Sequence, residues 1–138
     1  MKFSKTDQQY LRIIDANINR AKEGLRVVEE VVRFILNDAN LTRQLKKIRQ
    51  SLSKMPADLQ DVSAMLAARS VSGDVGANAP LQKRSDLMNI VRANLGRVEE
   101  ALRVLEEFSS DGMGFQRQRY QVYSIEKGIV EKIKNLKI

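Results

Sequence analysis

Apolar residues recur at three- and four-residue spacing over most of the chain, which is the pattern of amphipathic helices. The first such segment runs from about Lys5 to Leu36. Its apolar stripe consists of Ile14, Ile18, Ala21, Leu25, Val28, Val32 and Ile35. Residues 37–40 indicate a turn in which Asn or Asp caps the next helix. A second helix follows, with its own stripe at Leu41, Leu45, Ile48 and Leu52.

Three further helices are predicted by the rest of the pattern. Pro56 suits the first turn of a third helix that continues to about Arg69. Ser85 or Asp86 can cap a fourth helix that ends near residue 109. After a break at residues 110–114, a fifth helix runs from about residue 115 to 136. No alternating strand pattern occurs, so we expect one all-α domain, residues 1–138, built as a bundle of about five helices.

One stretch of sequence occurs twice. Residues 16–30 return as residues 93–107 at an offset of 77, with nine of fifteen positions identical. The shared pattern is A-N-x-x-R-x-x-E-x-L-R-V-x-E-E. We expect an internal duplication in which each copy begins a helical hairpin and the two copies pair about an approximate two-fold axis.

The composition limits the kinds of catalytic and metal sites that the chain can form. The chain of 138 residues has no Cys and no His, which excludes disulfides, thiol nucleophiles, His-based triads and the usual zinc or iron sites. A bound metal would be a hard cation such as magnesium. The net charge of +7 favours a negatively charged partner. No segment resembles a signal peptide or a membrane span, so we expect a cytoplasmic protein without a membrane partner.

Most charged residues of the repeat have a simple interpretation as helix braces. Arg26 and Glu29 lie on the polar side of the helical wheel. Arg26 and Glu30 form an i,i+4 pair, and Arg20 and Glu23 form an i,i+3 pair, which the second copy repeats. Each such pair supports an exposed helix by roughly 0.2–0.5 kcal/mol. Bracing is therefore the simpler role for any one of them.

The repeated asparagines are harder to explain in this way. Asn17 lies inside the apolar arc, with Arg20 at its edge, and Asn94 and Arg97 repeat the arrangement. A buried amide needs hydrogen-bond partners, because an unpaired one costs about 1–3 kcal/mol. Asn17 could bond Arg97, and Asn94 could bond Arg20, to hold the copies in register. Alternatively, the amides line a cleft between the copies and contact a ligand or a metal; the residues alone leave both roles open.

The irregular stretch at residues 70–80 is a second candidate for function. The residues that suit a phosphate or magnesium there are Gly73, Asp74 and Gly76, with Arg69 and Arg84 as flanking cations. Glycine allows close backbone approach to a phosphate, and a carboxylate can coordinate magnesium. The chain contains no G-x-x-x-x-G-K-[ST] motif. A flexible connector is the competing interpretation.

Three pieces of sequence, taken together, resemble a known family. They are the first copy with Ile14-Asp15 before it, the segment from Ala67-Ala68-Arg69 to Gly73-Asp74-Val75-Gly76, and the second copy through Phe108. Leu41-Thr42-Arg43-Gln44-Leu45 and Arg119-Tyr120 accompany them. The family is the small helical domain found fused ahead of thiamine-phosphate synthase in some bacteria, identified as a monofunctional hydroxymethylpyrimidine-phosphate kinase. The resemblance covers nearly the whole chain.

The resemblance implies ATP-dependent phosphorylation of hydroxymethylpyrimidine phosphate to the diphosphate, which thiamine-phosphate synthase consumes. The chain would then be a stand-alone kinase or one domain of a fusion with the synthase. The acceptor is already a phosphate oxyanion, so the transfer needs no histidine base. Positioning and charge neutralisation by Arg, Lys and magnesium carry most of this chemistry.

We assign site residues from the matched motif positions. The catalytic candidates are Arg20, Arg97 and Asp74. The candidates for binding the pyrimidine substrate or ATP are Asn17, Asn94, Arg69, Gly73, Gly76 and Arg84. Magnesium would be held by Asp74 with Glu23 or Glu100. The copies differ where Asn19 is replaced by Gly96 and Gly24 by Ala101, as two unlike substrates would require, although drift would give the same difference.

Two other functions compete with the kinase. A basic helical module could bind nucleic acid, but the repeat mixes acids with bases and aromatic platforms are few. A catalytically silent domain could instead dock a thiamine-phosphate synthase or form a homo-oligomer through its repeated helices. In that case the repeat residues would form core and interface.

Overall fold

A computed structural model of the chain describes residues 5–58, 66–70, 72–77, 86–109 and 114–136. The long helices in these ranges are α1 (Lys5–Phe34), α2 (Ala39–Asp58), α3 (Leu87–Phe108) and α4 (Phe115–Lys134). Residues 66–68 are helical as well, and none of the described ranges forms a strand. The prediction of an all-α fold is confirmed. None of the described helices has the length and hydropathy to cross a bilayer.

The predicted helix starts are confirmed at two acidic caps. Asp38 Oδ1 accepts a hydrogen bond of 2.9 Å from the Leu41 backbone N–H at the start of α2. Asp86 does the same for Asn89 at 2.8 Å and is the N-cap of α3. These carboxylates satisfy N–H groups that have no partner inside the helix, and they oppose the positive end of the helix dipole. Of the two predicted caps of α3, Ser85 lies outside the described residues.

The prediction that Pro56 opens a separate third helix is wrong. The α2 helix continues through Pro56 to Asp58. Between Leu52 and Pro56 the chain has no Gly, Asn or Asp, and the hydroxyl of Ser53 donates to the Arg49 carbonyl oxygen within the helix, so no strong turn signal ends α2 before the proline. Residues 59–65, which belong to the predicted third helix, lie outside the described part of the chain.

The two copies of the repeat lie on α1 and α3, which pack against each other along most of their length. The rings of Tyr10 and Phe108 meet at 5.3 Å in an edge-to-face contact. Gly24 lies against the backbone of Asn94. Moving forward along α1 therefore corresponds to moving backward along α3, so the two helices are antiparallel. We call this contact the seam.

Each copy is joined to the following helix by a bidentate ion pair. Arg49 of α2 donates to both carboxylate oxygens of Glu29, at 3.0 and 3.3 Å. Arg119 of α4 binds Glu106, the equivalent residue of the second copy, at 2.6 and 3.3 Å. The predicted hairpins α1–α2 and α3–α4 are therefore present. The prediction that Glu29 lies on an exposed polar face is wrong, because this residue is only 4% exposed. A helical wheel of α1 alone cannot show this burial, because the partner Arg49 belongs to another helix.

The hydrophobic core lies between the two hairpins. Its fully buried members include Leu25, Val28, Leu45, Leu52, Leu95, Leu102, Leu105, Phe115 and Ile129. Where Gly24 meets the second copy, a Cβ atom would lie 2.7 Å from Val98 Cγ2 and 2.9 Å from the Asn94 carbonyl oxygen. Only glycine permits this approach of α1 and α3. The seam is consequently the tightest helix contact, and α2 and α4 touch at few points.

Candidate functional site

The two repeated asparagines make the same local contact at the seam. Asn17 is 4% exposed and its amide nitrogen donates to the Ile13 carbonyl oxygen at 2.8 Å. The amide of Asn94 donates to the Ile90 carbonyl oxygen at 2.7 Å. Both bonds stay within one helix, one turn back. The alternative in which each amide bonds an arginine of the other copy is not observed among the described residues.

The repeated arginines lie at the same level of the seam. The register set by the contacts of Tyr10 with Phe108 and of Gly24 with Asn94 places Arg20 and Arg97 near its midpoint. Arg20 Nη1 lies 3.4 Å from Asn17 Oδ1, which is its one hydrogen bond among the described residues. The predicted pairs Arg20–Glu23 and Arg97–Glu100 do not form within the described ranges. Both guanidinium groups are therefore exposed cations without a carboxylate partner there, which suits an anionic ligand.

The loop residues form a turn that is organised by Asp74. Its Oδ1 accepts from the Gly76 backbone N–H at 2.9 Å, and its carbonyl oxygen accepts from Ala77 at 3.1 Å. Ser70 Oγ accepts from the Gly73 backbone N–H at 3.1 Å. All of residues 72–77 are exposed. The loop thus presents backbone and a carboxylate to solvent close to its anchor at Arg69.

Arg69 anchors this loop to the first copy of the repeat. Its Nε and Nη2 atoms donate to the two oxygens of Asp15 at 2.5 and 2.6 Å. The carboxylate of Asp15 is 9% exposed and also receives a longer bond from Asn19. The hydrogen bonds that Arg69 donates to Asp15 raise the pKa of Arg69. Because Asp15 is two residues before Asn17, the loop is tied to the same helix that supplies the seam asparagine and arginine.

The predicted magnesium ligands Asp74, Glu23 and Glu100 all lie at exposed positions. Glu23 and Glu100 are both exposed on the outer sides of their helices. Within the described residues, no group of three or more acidic side chains is close enough to hold a metal ion. Arg84 lies outside those residues. The structure therefore brings together Asn17, Arg20, Asn94 and Arg97 at the seam and links Arg69 to it.

A pair of carboxyl groups occupies the outer side of α3 beside α4. Glu99 and Glu126 face each other, and each has a buried oxygen with no partner among the described residues. Burial, followed by the contact with Glu126, raises the pKa of Glu99 to about 8, whereas the nearby Arg92 opposes this rise. Below this value Glu99 is mainly protonated. Glu99 also lines a shallow cavity together with Gly96.

Several residues of these contacts were not predicted. Asp15 stands in the matched sequence but had no assigned role, and its partner is 54 positions away. Gln118 occupies a core position of α4 and is 8% exposed. That position was detectable, because it continues the spacing of the buried residues Phe115, Val122 and Ile125. A polar residue in an apolar stripe is the signal that would have identified it.

Residues 12–128 match the model of the ThiD2 family. The chain belongs to the ThiD2 family. The matched range includes both copies of the repeat, the loop with Asp74 and most of α4. No solved structure shows a significant match to the chain.

Similar curated proteins are named thiamine-phosphate synthase. Those from Nostoc punctiforme and Synechocystis are 39% and 42% identical to this chain over 134 and 127 residues. These alignments cover 91% and 86% of this chain but 37% and 36% of those proteins. The protein from Rhodopirellula baltica is 41% identical over 122 residues, which is 83% of the chain and 32% of that protein. The chain thus spans about a third of the length of these relatives.

Proposed function

We propose that the protein transfers the γ-phosphoryl group of ATP to the phosphate of 4-amino-5-hydroxymethyl-2-methylpyrimidine phosphate, giving the pyrimidine diphosphate and ADP. The family match over residues 12–128 is the observation that carries this proposal, together with the resemblance of the repeat to the kinase domain. The relatives' name, thiamine-phosphate synthase, fits a role in supplying that diphosphate. The protein would act in thiamine biosynthesis.

The seam supports the proposal by its charge. Transfer between two phosphate groups brings several negative charges together, and cations that approach them lower the barrier. Arg20 and Arg97 are exposed at one level of the seam and have no carboxylate partner in the described ranges. In the proposal they bind the phosphates of the two substrates, and Asn17 and Asn94 orient the ligands. The terminal oxygen of the acceptor phosphate forms the new P–O bond while the bond to ADP breaks.

The loop and magnesium complete the proposed site. Mg²⁺ in phosphoryl-transfer enzymes is held by one or two carboxylates plus substrate phosphates, so a cage of three acidic residues is not required. We assign Asp74 as one such carboxylate, with Glu23 or Glu100 as the second. Gly73, Gly76 and Arg69 would contact phosphate from the loop, and Arg84 would do so from beyond it. When bound, the metal would neutralise charge on the phosphates.

The direct test is an assay with ATP, magnesium and the pyrimidine phosphate, followed by chromatography for the diphosphate. We expect product with the pyrimidine phosphate and none with the unphosphorylated alcohol. Asp74→Asn should lower kcat by about 10²-fold if its carboxylate holds the magnesium ion that neutralises the phosphates. Absence of product over a wide range of magnesium concentrations would exclude the kinase.

A second function is favoured by the relatives' names. The curated relatives are thiamine-phosphate synthases of which this chain matches about a third. A non-catalytic domain that supports a synthase would therefore give the same comparisons. An assay distinguishes this function from the kinase. A non-catalytic domain would not consume ATP with the pyrimidine phosphate and would instead change the rate of a synthase added to the reaction.

A further inference from the structure

The second helices of the two hairpins, α2 and α4, enclose a groove. They run antiparallel, since Gln118 donates to Ser51 Oγ at 3.1 Å near one end and Lys132 pairs with Asp38 near the other. The cavity between them measures about 770 Å³, a volume within the range of small-molecule sites. It lies on the other side of the bundle from the seam of α1 and α3. Of the residues assigned to the kinase site, none of those that the structure describes lines it.

One end of the groove has the features of an anion site. Gly114, the N-cap of α4, lines the cavity, adopts a left-handed conformation with φ of 82°, and provides no side-chain cap. The first-turn N–H groups of a 20-residue helix, with the positive end of its dipole, thus lie at the groove, and the N-cap residue itself offers them no side-chain acceptor. Arg117 of α4 and Lys47 of α2 also line the cavity. Both are exposed and form no ion pair within the described ranges.

A buried amide in the same groove lacks a partner. Gln118 is only 8% exposed and lines the cavity. Its nitrogen donates to Ser51, but its Oε1 is buried with no hydrogen-bond donor among the described residues. Such an unpaired acceptor costs about 1–3 kcal/mol. A ligand N–H or O–H group would remove that cost, and two further amides, Gln44 and Gln121, line the groove beside it.

We propose that the groove between α2 and α4 binds a phosphorylated small molecule, with its phosphate at the N-terminus of α4 beside Arg117, with a donor group on Gln118 Oε1, and with Lys47 donating to the ligand further along the groove. The groove extends from Gly114 to Ile125, about 16 Å along a helix that rises 1.5 Å per residue. This length accommodates a phosphate at one end and a heterocycle further along. The inference adds a second site to the proposed function and rests on that function for the choice of ligands. A pyrimidine phosphate and a nucleotide share the required chemistry.

The test measures binding to the full chain by calorimetry. Its three ligands are the pyrimidine phosphate, the corresponding alcohol, and a non-hydrolysable ATP analogue with magnesium. Arg117→Gln and Lys47→Gln should each weaken binding of the phosphorylated ligand by about tenfold or more, because each removes a charge-assisted hydrogen bond. Gln118→Met should weaken it by about tenfold as well. If the groove variants weaken binding of the pyrimidine phosphate, the groove binds that substrate. If they weaken binding of the ATP analogue, the groove binds the nucleotide.

Two variants provide matched controls. Arg43→Gln and Lys46→Gln remove the same charges from exposed positions of α2 that do not line the groove, and binding should stay within about twofold of wild type. Circular dichroism and the melting temperature verify the folding of every variant. In amide NMR spectra, the ligand should shift the resonances of residues 115–117.

The outcomes separate the groove from the kinase. Equal affinities in groove and control variants, or no binding of either phosphorylated ligand, would overturn the groove proposal, whatever the kinase assay shows. Groove-dependent binding in a protein that forms no diphosphate would support the groove and overturn the proposed reaction. Groove-dependent loss of affinity together with turnover would support both.

Discussion

Two glycines inside the long helices have opposite surroundings. A Cβ at Gly24 would meet Val98 Cγ2 at 2.7 Å and the Asn94 carbonyl oxygen at 2.9 Å, whereas one at Gly96 would meet nothing within 4 Å. A backbone oxygen cannot rotate away as a side chain can. We expect Gly24→Ala to lower the free energy of unfolding by about 1–3 kcal/mol, as over-packed cores do.

Gly96→Ala is the matched control and should raise the free energy of unfolding by up to about 1 kcal/mol, because alanine is the better helix former. Urea unfolding followed by circular dichroism measures both values. If the two substitutions change stability in the same direction, the close approach of α1 and α3 at Gly24 is not what requires the glycine.

The carboxyl pair of Glu99 and Glu126 makes stability depend on pH. The folded protein raises the pKa of Glu99 from 4.5 to about 8, so it binds more protons than the unfolded chain between these values. Stability should therefore fall as the pH rises from about 4.5 to about 8. Glu99→Gln removes this charge and should be more stable than wild type at pH 8 by about 1 kcal/mol, a value reduced for partial exposure.

At pH 4.5 the same variant should lose most of that advantage, since Glu99 is protonated in both states of the wild type. Thermal unfolding at several pH values tests the slope. A stability difference between variant and wild type that is equal at pH 4.5 and pH 8 would contradict the raised pKa of Glu99.

At the scale of the helices, buried ion pairs hold each hairpin closed. The carboxylate of Glu29 is 5% exposed and Arg49 is 20% exposed, so removing the arginine leaves a buried charge. Arg26 also reaches Glu29, but at 3.6 Å and from a largely exposed position. We expect Arg49→Met to lower the free energy of unfolding by about 3 kcal/mol.

The double variant Glu29→Leu with Arg49→Met should recover most of this loss, because it leaves no unpaired charge. The equivalent pair, Glu106 with Arg119, serves as an internal comparison, and its side chains are 13% and 16% exposed. Chemical denaturation of the single and double variants completes the cycle. If the double variant is no more stable than Arg49→Met, the unpaired buried charge of Glu29 is not the cause of the lost stability.

The sequence predicts those elements that depend on neighbouring residues. Apolar spacing and the acidic caps Asp38 and Asp86 were sufficient for the helices and their starts, because each cap bonds a residue three positions later. Contacts between distant residues were not predictable in this way. The burial of Glu29 depends on Arg49, and the anchor of the loop depends on Asp15 lying beside Arg69. The repeat singled out Asn17 and Arg20 as candidates and their role stays a prediction, whereas the groove at Gln118 arises only when two hairpins are assembled.

At the scale of the whole molecule, the bundle has two unlike sides. The seam of α1 and α3 presents two arginines with no carboxylate partner among the described residues, and the opposite side presents the groove between α2 and α4. The antiparallel register places the equivalent residues Arg20 and Arg97 near one level, which is the arrangement expected of a duplication about a two-fold axis that passes between them. That relation between the copies stays a prediction. It has a functional consequence, because equivalent residues would then face two different substrates.

Arg20→Gln and Arg97→Gln test this consequence. If the seam is the kinase site, each variant should lower kcat/KM by about 10²-fold, the effect of removing one positioned donor to a developing charge. Because the copies differ at Asn19 and Gly96, the two variants should raise different Michaelis constants, one for ATP and the other for the pyrimidine phosphate. Steady-state kinetics with each substrate varied in turn gives both constants, and Arg43→Gln provides the control for loss of charge. If both seam variants keep the kcat/KM of the wild type, the seam takes no part in the reaction. Equal rises in both Michaelis constants for each variant would instead show that the two copies act on the substrates together.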